Sequence, residues 1–295
     1  MCLPSVAAAQ AFTPPEGVGA VTLAWQFVDN TGHRFTDGST LARGQSVTTS
    51  ALVDVDYGVT ERLSMSVGIP YVFAKYTGAN EPFSGLPVDL CRCWNSSFQD
   101  FSVSGRYRLG SDSWAVTPVM RYDLPSHRYQ FAGEAVVGRN LQEAQLGVTA
   151  AVKLLRILPR ANVQVSYLFA IVERPLPDVG IDRSNSAVEF GYALHRSFYV
   201  SGNTNWQRTH GGLRNGSPSG APFPPPGELN TPERFAQRDR VIRSNYWHAG
   251  ATLSYSIRQT DLFLSVTKYM SGTDTHDGQA YTVGTTFYFS VPKRG

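Results

Sequence analysis

Two aspartates two residues apart, Asp54 and Asp56, and two arginines with the same spacing, Arg106 and Arg108, are the first residues here whose types and placement invite chemistry. In an extended strand residues i and i+2 share a face, so each pair presents a doubled charge to one side. By the same parity Arg121, Asp123, Lys153, Glu189 and His248 lie on the polar side of their runs. If that side lines a passage, opposed acidic and basic groups form an electrostatic constriction that orients a moving solute. If they pair with one another, they brace a wall, because charges out of water must be compensated. Both readings stand at this level. The Asp54/Asp56 spacing also suits acid-base work or a cation, but no third ligand stands in register.

Other candidates are weaker. Cys91 and Cys93 flank a single arginine in a polar loop with Pro82, Gly85, Pro87 and Trp94. Two thiolates there suit a soft metal, yet the neighbourhood lacks the partners of a four-ligand site. Exported thiols oxidise, so a Cys91–Cys93 disulfide is expected; an intermolecular bond or free thiols stay open, because a bridge across one residue closes a small ring. The six histidines, at 33, 127, 195, 210, 248 and 276, show no H-x-x-x-H pair and fall mostly in expected loops. A hydrolase working at a membrane face would need a serine and a histidine at matching depth on outward faces. His195 sits at a tight turn and His248 points inward, so no pair assembles. The expectation is a protein that is not an enzyme and uses no cofactor or metal.

The elements that must position these residues are runs of strict period-two alternation. Val21, Leu23, Trp25 and Phe27 oppose Thr22, Ala24 and Gln26; Val47, Ala51, Val53, Val55 and Tyr57 oppose Thr48, Ser50, Asp54 and Asp56. After the tight turn Gly58-Val59-Thr60-Glu61 the pattern resumes with Leu63, Met65, Val67 and Ile69. It returns over Phe101 to Leu109, Trp114 to Tyr122, Gln145 to Lys153, Asn162 to Ile171, Ala187 to Leu194, Phe198 to Trp206, Tyr246 to Ile257, Leu262 to Thr267 and Ala280 to Ser290. That makes about twelve strands of roughly 9 to 12 residues, the length a tilted strand needs to cross a bilayer. Short turns alternate with long polar connections, with few exceptions. Trp25, Tyr57, Tyr71, Trp114, Trp206, Trp247 and Phe289 sit near the ends of apolar faces, where interfacial girdles belong. A soluble sandwich shares the alternation but not the strand length or the asymmetry of its connections.

Composition agrees. At 17% charged and 42% hydrophobic, with a mean hydropathy of -0.21, the chain is too uncharged for an ordinary solvated surface and too polar for a bundle of membrane helices. A net charge of +3 implies no nucleic-acid partner. In lipid only closure satisfies every backbone group. Residues 12–295 therefore read as one all-β, antiparallel, up-and-down transmembrane barrel, monomeric, with both ends in the periplasm. Residues 1–11, closing on Ala9-Gln10-Ala11, read as a truncated signal peptide without its basic start. Its removal would take Cys2 away. The longest loop, Thr209 to Ser244, holds Gly211-Gly212 and Pro224-Pro225-Pro226. That content favours a mobile surface segment over a gate folded into the lumen. Its Arg234, Arg238, Arg240 and Arg243 are expected on the lipopolysaccharide side, where guanidinium groups pair with phosphates. The last strand ends near Phe289 and leaves a short tail to Gly295.

The stretch Tyr57-Gly58-Val59-Thr60-Glu61-Arg62-Leu63-Ser64 with Val67-Gly68-Ile69-Pro70-Tyr71, and Gln99-Asp100-Phe101 through Arg106-Tyr107-Arg108-Leu109, resembles the bacterial outer-membrane family of phenol-degradation meta-pathway proteins, also described as transporters. The resemblance implies a channel for small aromatic or hydrophobic compounds and transfers no binding residues. The expected function is an outer-membrane channel or transporter for such compounds, partnered by outer-membrane lipid and lipopolysaccharide. The alternatives are a structural or adhesive barrel with a plugged lumen and, behind it, the hydrolase.

Overall fold

In the computed structural model, residues 11–41, 44–77, 87–155, 157–214 and 228–291 are described. Twelve long strands alternate an apolar with a polar face, and they close on themselves. They are β1 (Val18–Arg34), β2 (Gln45–Gly58), β3 (Leu63–Thr77), β4 (Asp100–Tyr107), β5 (Trp114–Pro125), β6 (Glu143–Lys153), β7 (Ala161–Val172), β8 (Ile181–Ala193), β9 (Phe198–Gly211), β10 (Asn245–Ile257), β11 (Thr260–Thr273) and β12 (Thr275–Ser290). Each pairs antiparallel with the next, and β12 pairs with β1 from Val18↔Ser290 to Arg34↔Thr275. Closure leaves no strand edge to be satisfied by water.

The split between faces is the expected one. Leu23, Trp25 and Phe27 on β1 and Leu262, Leu264 and Val266 on β11 point outward and are 40 to 58% exposed. Such a continuous band would drive aggregation in water and is solvated in lipid. Small and polar side chains face inward and bond across the wall, as the Thr22 and Thr286 hydroxyls do at 2.9 Å. The short turns lie at the end where Val18 meets Ser290, the periplasmic end by barrel convention.

Several strands run further than their alternation. β1 continues to Arg34, β3 to Thr77, and β8 begins at Ile181 instead of Ala187. Beyond the bilayer neither face need be apolar, so the pattern fades while the hydrogen-bond ladder goes on. The segment after Thr267, expected as a long connection, is instead the rest of β11 and the start of β12, reversed through Asp274 at φ 53°. Its buried carboxylate accepts the Thr36 hydroxyl at 2.7 Å and lies 3.9 Å from Arg243. The connection expected to reach Ser97 contains α1 (Pro87–Leu90) and a short strand, Asn95–Phe98, paired with β3.

At the extracellular end the connections fold over the lumen. Leu141, Val172, Val179, Ile181, Leu213, Leu229, Val241 and Ile242 form an apolar cluster there, with Val241 fully buried. The described part of the Thr209–Ser244 loop is thus packed, with α2 (Pro232–Ala236) and α3 (Arg238–Val241), and not a mobile surface segment. Apolar Leu213, Leu229, Val241 and Ile242, overlooked beside the glycines and prolines, supply the reason. Its arginines have partners inside the cap: Arg234 pairs with Asp178 at 2.6 Å, Arg238 stacks on Phe235, and Arg240 donates to the Asn140 carbonyl at 2.7 Å. The Pro224–Pro226 run, residues 1–10 and the tail 292–295 lie outside the described residues.

Candidate functional site

The lumen is bounded below by a strap and above by the cap. Residues ahead of β1 do not stop at the periplasmic rim but enter the barrel. Ala11 is fully buried; its N–H donates to Gln164 Oε1 at 3.0 Å, and its carbonyl accepts the Thr117 hydroxyl at 2.6 Å. Those side chains project inward from β7 and β5. The Lys153 ammonium lies 5.0 Å from the Phe12 ring centroid, a cation–π distance. Gly17, at φ 76°, completes the strap: its N–H donates to the Gly58 carbonyl at 2.9 Å and its own carbonyl accepts from Val291 at 2.8 Å.

Above the strap lies a cavity of about 390 Å³. Six of the nine residues singled out by parity line it: Asp54, Asp56, Arg106, Arg108, Arg121 and Lys153. Strands β2, β4, β5 and β6, with Arg108 just past the end of β4, bring them together with apolar Phe12, Val18, Val119 and Leu168. Arg106 is ion-paired to Asp56, and Arg121 to Asp123 at 2.7 Å. Asp123 also accepts from Gln145 at 2.7 Å. Arg108 donates to the Glu61 carbonyl at 3.3 Å. Of the three that do not line the cavity, Asp123 is reached through Arg121, and the other two point inward elsewhere. His248 stacks on Tyr246, ring centroids 4.4 Å apart, and Glu189 lies on β8 away from the cavity lining. Parity thus found the charges but not the strap, nor the Glu143–Arg183 ion pair that braces the upper wall. Glu143 and Arg183 share inward parity with Lys153 and Glu189, a signal that was legible; Phe12-Thr13-Pro14-Pro15 carries no period.

The cap is held by two carboxylates. Asp89 of α1, fully buried, accepts the Glu134 and Ala135 N–H groups at 2.8 and 2.7 Å, and Asp239 accepts from Gly133 at 3.0 Å. The Ser46 hydroxyl donates to the Glu134 carbonyl at 2.8 Å, tying the same loop to the inside of β2. Burial, with the charges of Asp239 and Asp89 nearby, pushes the Glu134 carboxyl up to about 7. Burial raises Asp239 as well, against the pull of Arg238. Beside α1, Cys91 and Cys93 are joined in a disulfide on the exposed surface, with Arg92 between them at φ 51°. Among the described residues no group of three or more His, Cys, Asp or Glu is arranged to hold a metal ion.

No family model and no curated protein matches the sequence. Solved structures do. The crystal structure of an outer membrane channel from Pseudomonas putida F1 superposes with a TM-score of 0.69 at 10% identity, over 95% of this chain and 98% of that one. The NanC porin gives 0.52 at 11% identity, over 90% and 98%, and the translocator domain of the autotransporter NalP from Neisseria meningitidis gives 0.53 at 9%, over 94% and 90%. This chain has the fold of the bacterial outer-membrane β-barrels. At such identities the likeness establishes the fold.

The outer face of the barrel corrects one expectation. A serine and a histidine do meet there: Ser184 Oγ of β8 lies 2.7 Å from His210 Nε2 of β9, and the Tyr167 hydroxyl of β7 is 2.9 Å from the same Oγ. The alternation ends at Trp206 and places His210 in the loop beyond, but β9 carries it two positions past Arg208, on the same outward parity.

Proposed function

We propose that this outer-membrane barrel is a channel or transporter for small hydrophobic or aromatic compounds, with the cavity above the strap as the place where the solute pauses. One observation carries the reading: a cavity of about 390 Å³, within the size range of small-molecule sites, in which apolar Phe12, Val18, Val119 and Leu168 stand beside charges of which Asp56, Arg106 and Arg121 are held in ion pairs. Paired charges give a solute polar contacts without presenting a net charge that an apolar ring would have to desolvate. The Asp56–Arg106 and Arg121–Asp123 pairs then serve both functions set against each other by the sequence, constriction and brace.

The strap below and the cap above favour gated passage over a permanently open pore. They also keep the alternative of a closed structural barrel in contention, and one experiment separates the two. Detergent-purified protein in a planar bilayer is recorded in salt alone and with added phenol, for the intact chain and for a variant lacking residues 11–15. Channel function predicts small or rare steps in the intact chain, larger ones in the variant, and reduction of both by phenol. An intact chain and a variant that are equally silent, while both remain heat-modifiable barrels, would transfer the assignment to the structural role.

A further inference from the structure

We propose that the outward face of β8 and β9 carries a serine–histidine dyad that hydrolyses long-chain acyl esters at the outer-leaflet interface. The inference is independent of the lumen and of the channel reading. Ser184 Oγ and His210 Nε2 are 2.7 Å apart, the relation a nucleophile needs to its general base. With the ring proton on Nδ1, Nε2 accepts the serine O–H. On the other side the Tyr167 hydroxyl, 2.9 Å from Oγ, is a donor within reach of a developing oxyanion. Arg208 stands opposite Ser184 in the β8–β9 register, on the same face, and adds a fixed positive charge.

The position of the pair selects the substrate. Ser186 pairs with Trp206, and Trp206 stacks on Trp247 with centroids 6.4 Å apart, an aromatic belt of the kind that marks the interface. Ser184 is the next outward position toward the extracellular end, about 7 Å further along the strand. An ester group held at the headgroup level would meet the dyad while its acyl chain lies against outward Val188 and Phe190 below. Asp182 is opposite His210 in register, but its carboxylate accepts the Val172 N–H at 3.0 Å and lies 4.0 Å from Arg174, so the proposed unit is a dyad and not a triad.

The chemistry closes with water as the only co-reactant. Ser184 Oγ bonds to the ester carbonyl carbon as its proton passes to His210 Nε2. The tetrahedral adduct collapses, the bond to the alcohol oxygen breaks, and the alcohol leaves with that proton. Water then attacks the acyl-serine, giving one proton to His210, which returns it to Ser184 Oγ as the fatty acid departs.

The test uses the intact, heat-modifiable barrel in detergent micelles. A long-chain alkyl fluorophosphonate is added, whose phosphorus bonds to an activated serine oxygen with loss of fluoride, and in parallel a long-chain p-nitrophenyl ester. The expected result is a mass increase mapped to Ser184, absent in Ser184→Ala. Ester hydrolysis should fall about 100-fold or more in both Ser184→Ala and His210→Asn, the scale of losing general-base catalysis. Labelling no greater than in Ser184→Ala, or hydrolysis unchanged by either substitution, would overturn the proposal and leave a Tyr–Ser–His hydrogen-bond row on the girdle. Both substitutions are on the outer surface, so heat-modifiability confirms that each variant is folded.

Discussion

Gly58 lies directly beneath the carbonyl of Pro15: a β-carbon at position 58 would overlap that oxygen. The last residue of β2 is therefore a glycine because the strap passes over it, and the Gly17 N–H closes on the Gly58 carbonyl at 2.9 Å in the same contact. Gly58→Val removes the space without touching the outer wall. The substitution is expected to displace the strap and raise single-channel conductance, while the protein stays a heat-modifiable barrel. Conductance equal to that of the parent would mean that the strap does not limit flow.

The ion pairs of the lumen make a second prediction. Arg106 and Asp56 are both largely buried, at 12% and 16% side-chain exposure. Arg106→Ala leaves the aspartate uncompensated beside the cavity, and Asp56→Asn leaves the arginine. Reversal potentials in a salt gradient should move in opposite directions, toward cation preference in the first variant and anion preference in the second. Each also loses a wall brace, so a lower unfolding temperature accompanies the change in both.

Glu134 gives the cap a pH dependence of definite sign. Its carboxyl is raised from 4.5 to about 7 in the closed cap, so the closed form binds the proton more tightly than an opened one. Closure is most favourable below pH 4.5, weakens as pH rises through the window to about 7, and is flat above it. Hydrogen exchange of residues 126–142 should quicken across that window, and Glu134→Gln, which cannot ionise, should flatten the profile. A profile in Glu134→Gln as steep as the parent's would assign the effect to another group, with Asp239 the next candidate.

What the sequence displayed follows from what physics demanded of each stretch. Val21 to Phe27 must turn one face to lipid, so its period is clean and the barrel is legible from it. The same demand fixes parity, which is why Asp54, Asp56, Arg106, Arg108, Arg121, Asp123, Lys153, Glu189 and His248 could be assigned to the inner face before their strands were paired, though parity does not say which six of them share the cavity. Thr267 to Gln279 lies toward the extracellular end, where both faces meet polar surroundings, and its strands were read as loop. Phe12 to Pro15 is held by Gln164, Thr117 and Lys153 from strands far away in sequence, so no local pattern announces it. Ser184 and His210 were missed for the reason that hid the strand ends: Arg183-Ser184-Asn185-Ser186 is polar on both faces, so neither face stood out as the outer one.

Asp89 is the residue on which the cap's closure depends most. Both of its carboxylate oxygens accept from the Glu134 N–H, at 2.8 and 2.9 Å, and Oδ1 also accepts from Ala135 at 2.7 Å, with the carboxylate itself wholly buried. Asp89→Ala strands two N–H groups in the closed cap, at a cost of about 1–3 kcal/mol for each. It also removes one of the two negative charges that raise the Glu134 carboxyl. The two effects pull apart. The cap opens more readily at every pH, which limited proteolysis within residues 126–142 would register as faster cleavage, while the pH window set by Glu134 narrows from its upper end. Faster cleavage with an unmoved window would show that the Asp89 charge is screened from Glu134 and acts on the cap only through its hydrogen bonds. Unchanged cleavage would mean that the Ser46 and Asp239 bonds alone suffice to hold the loop.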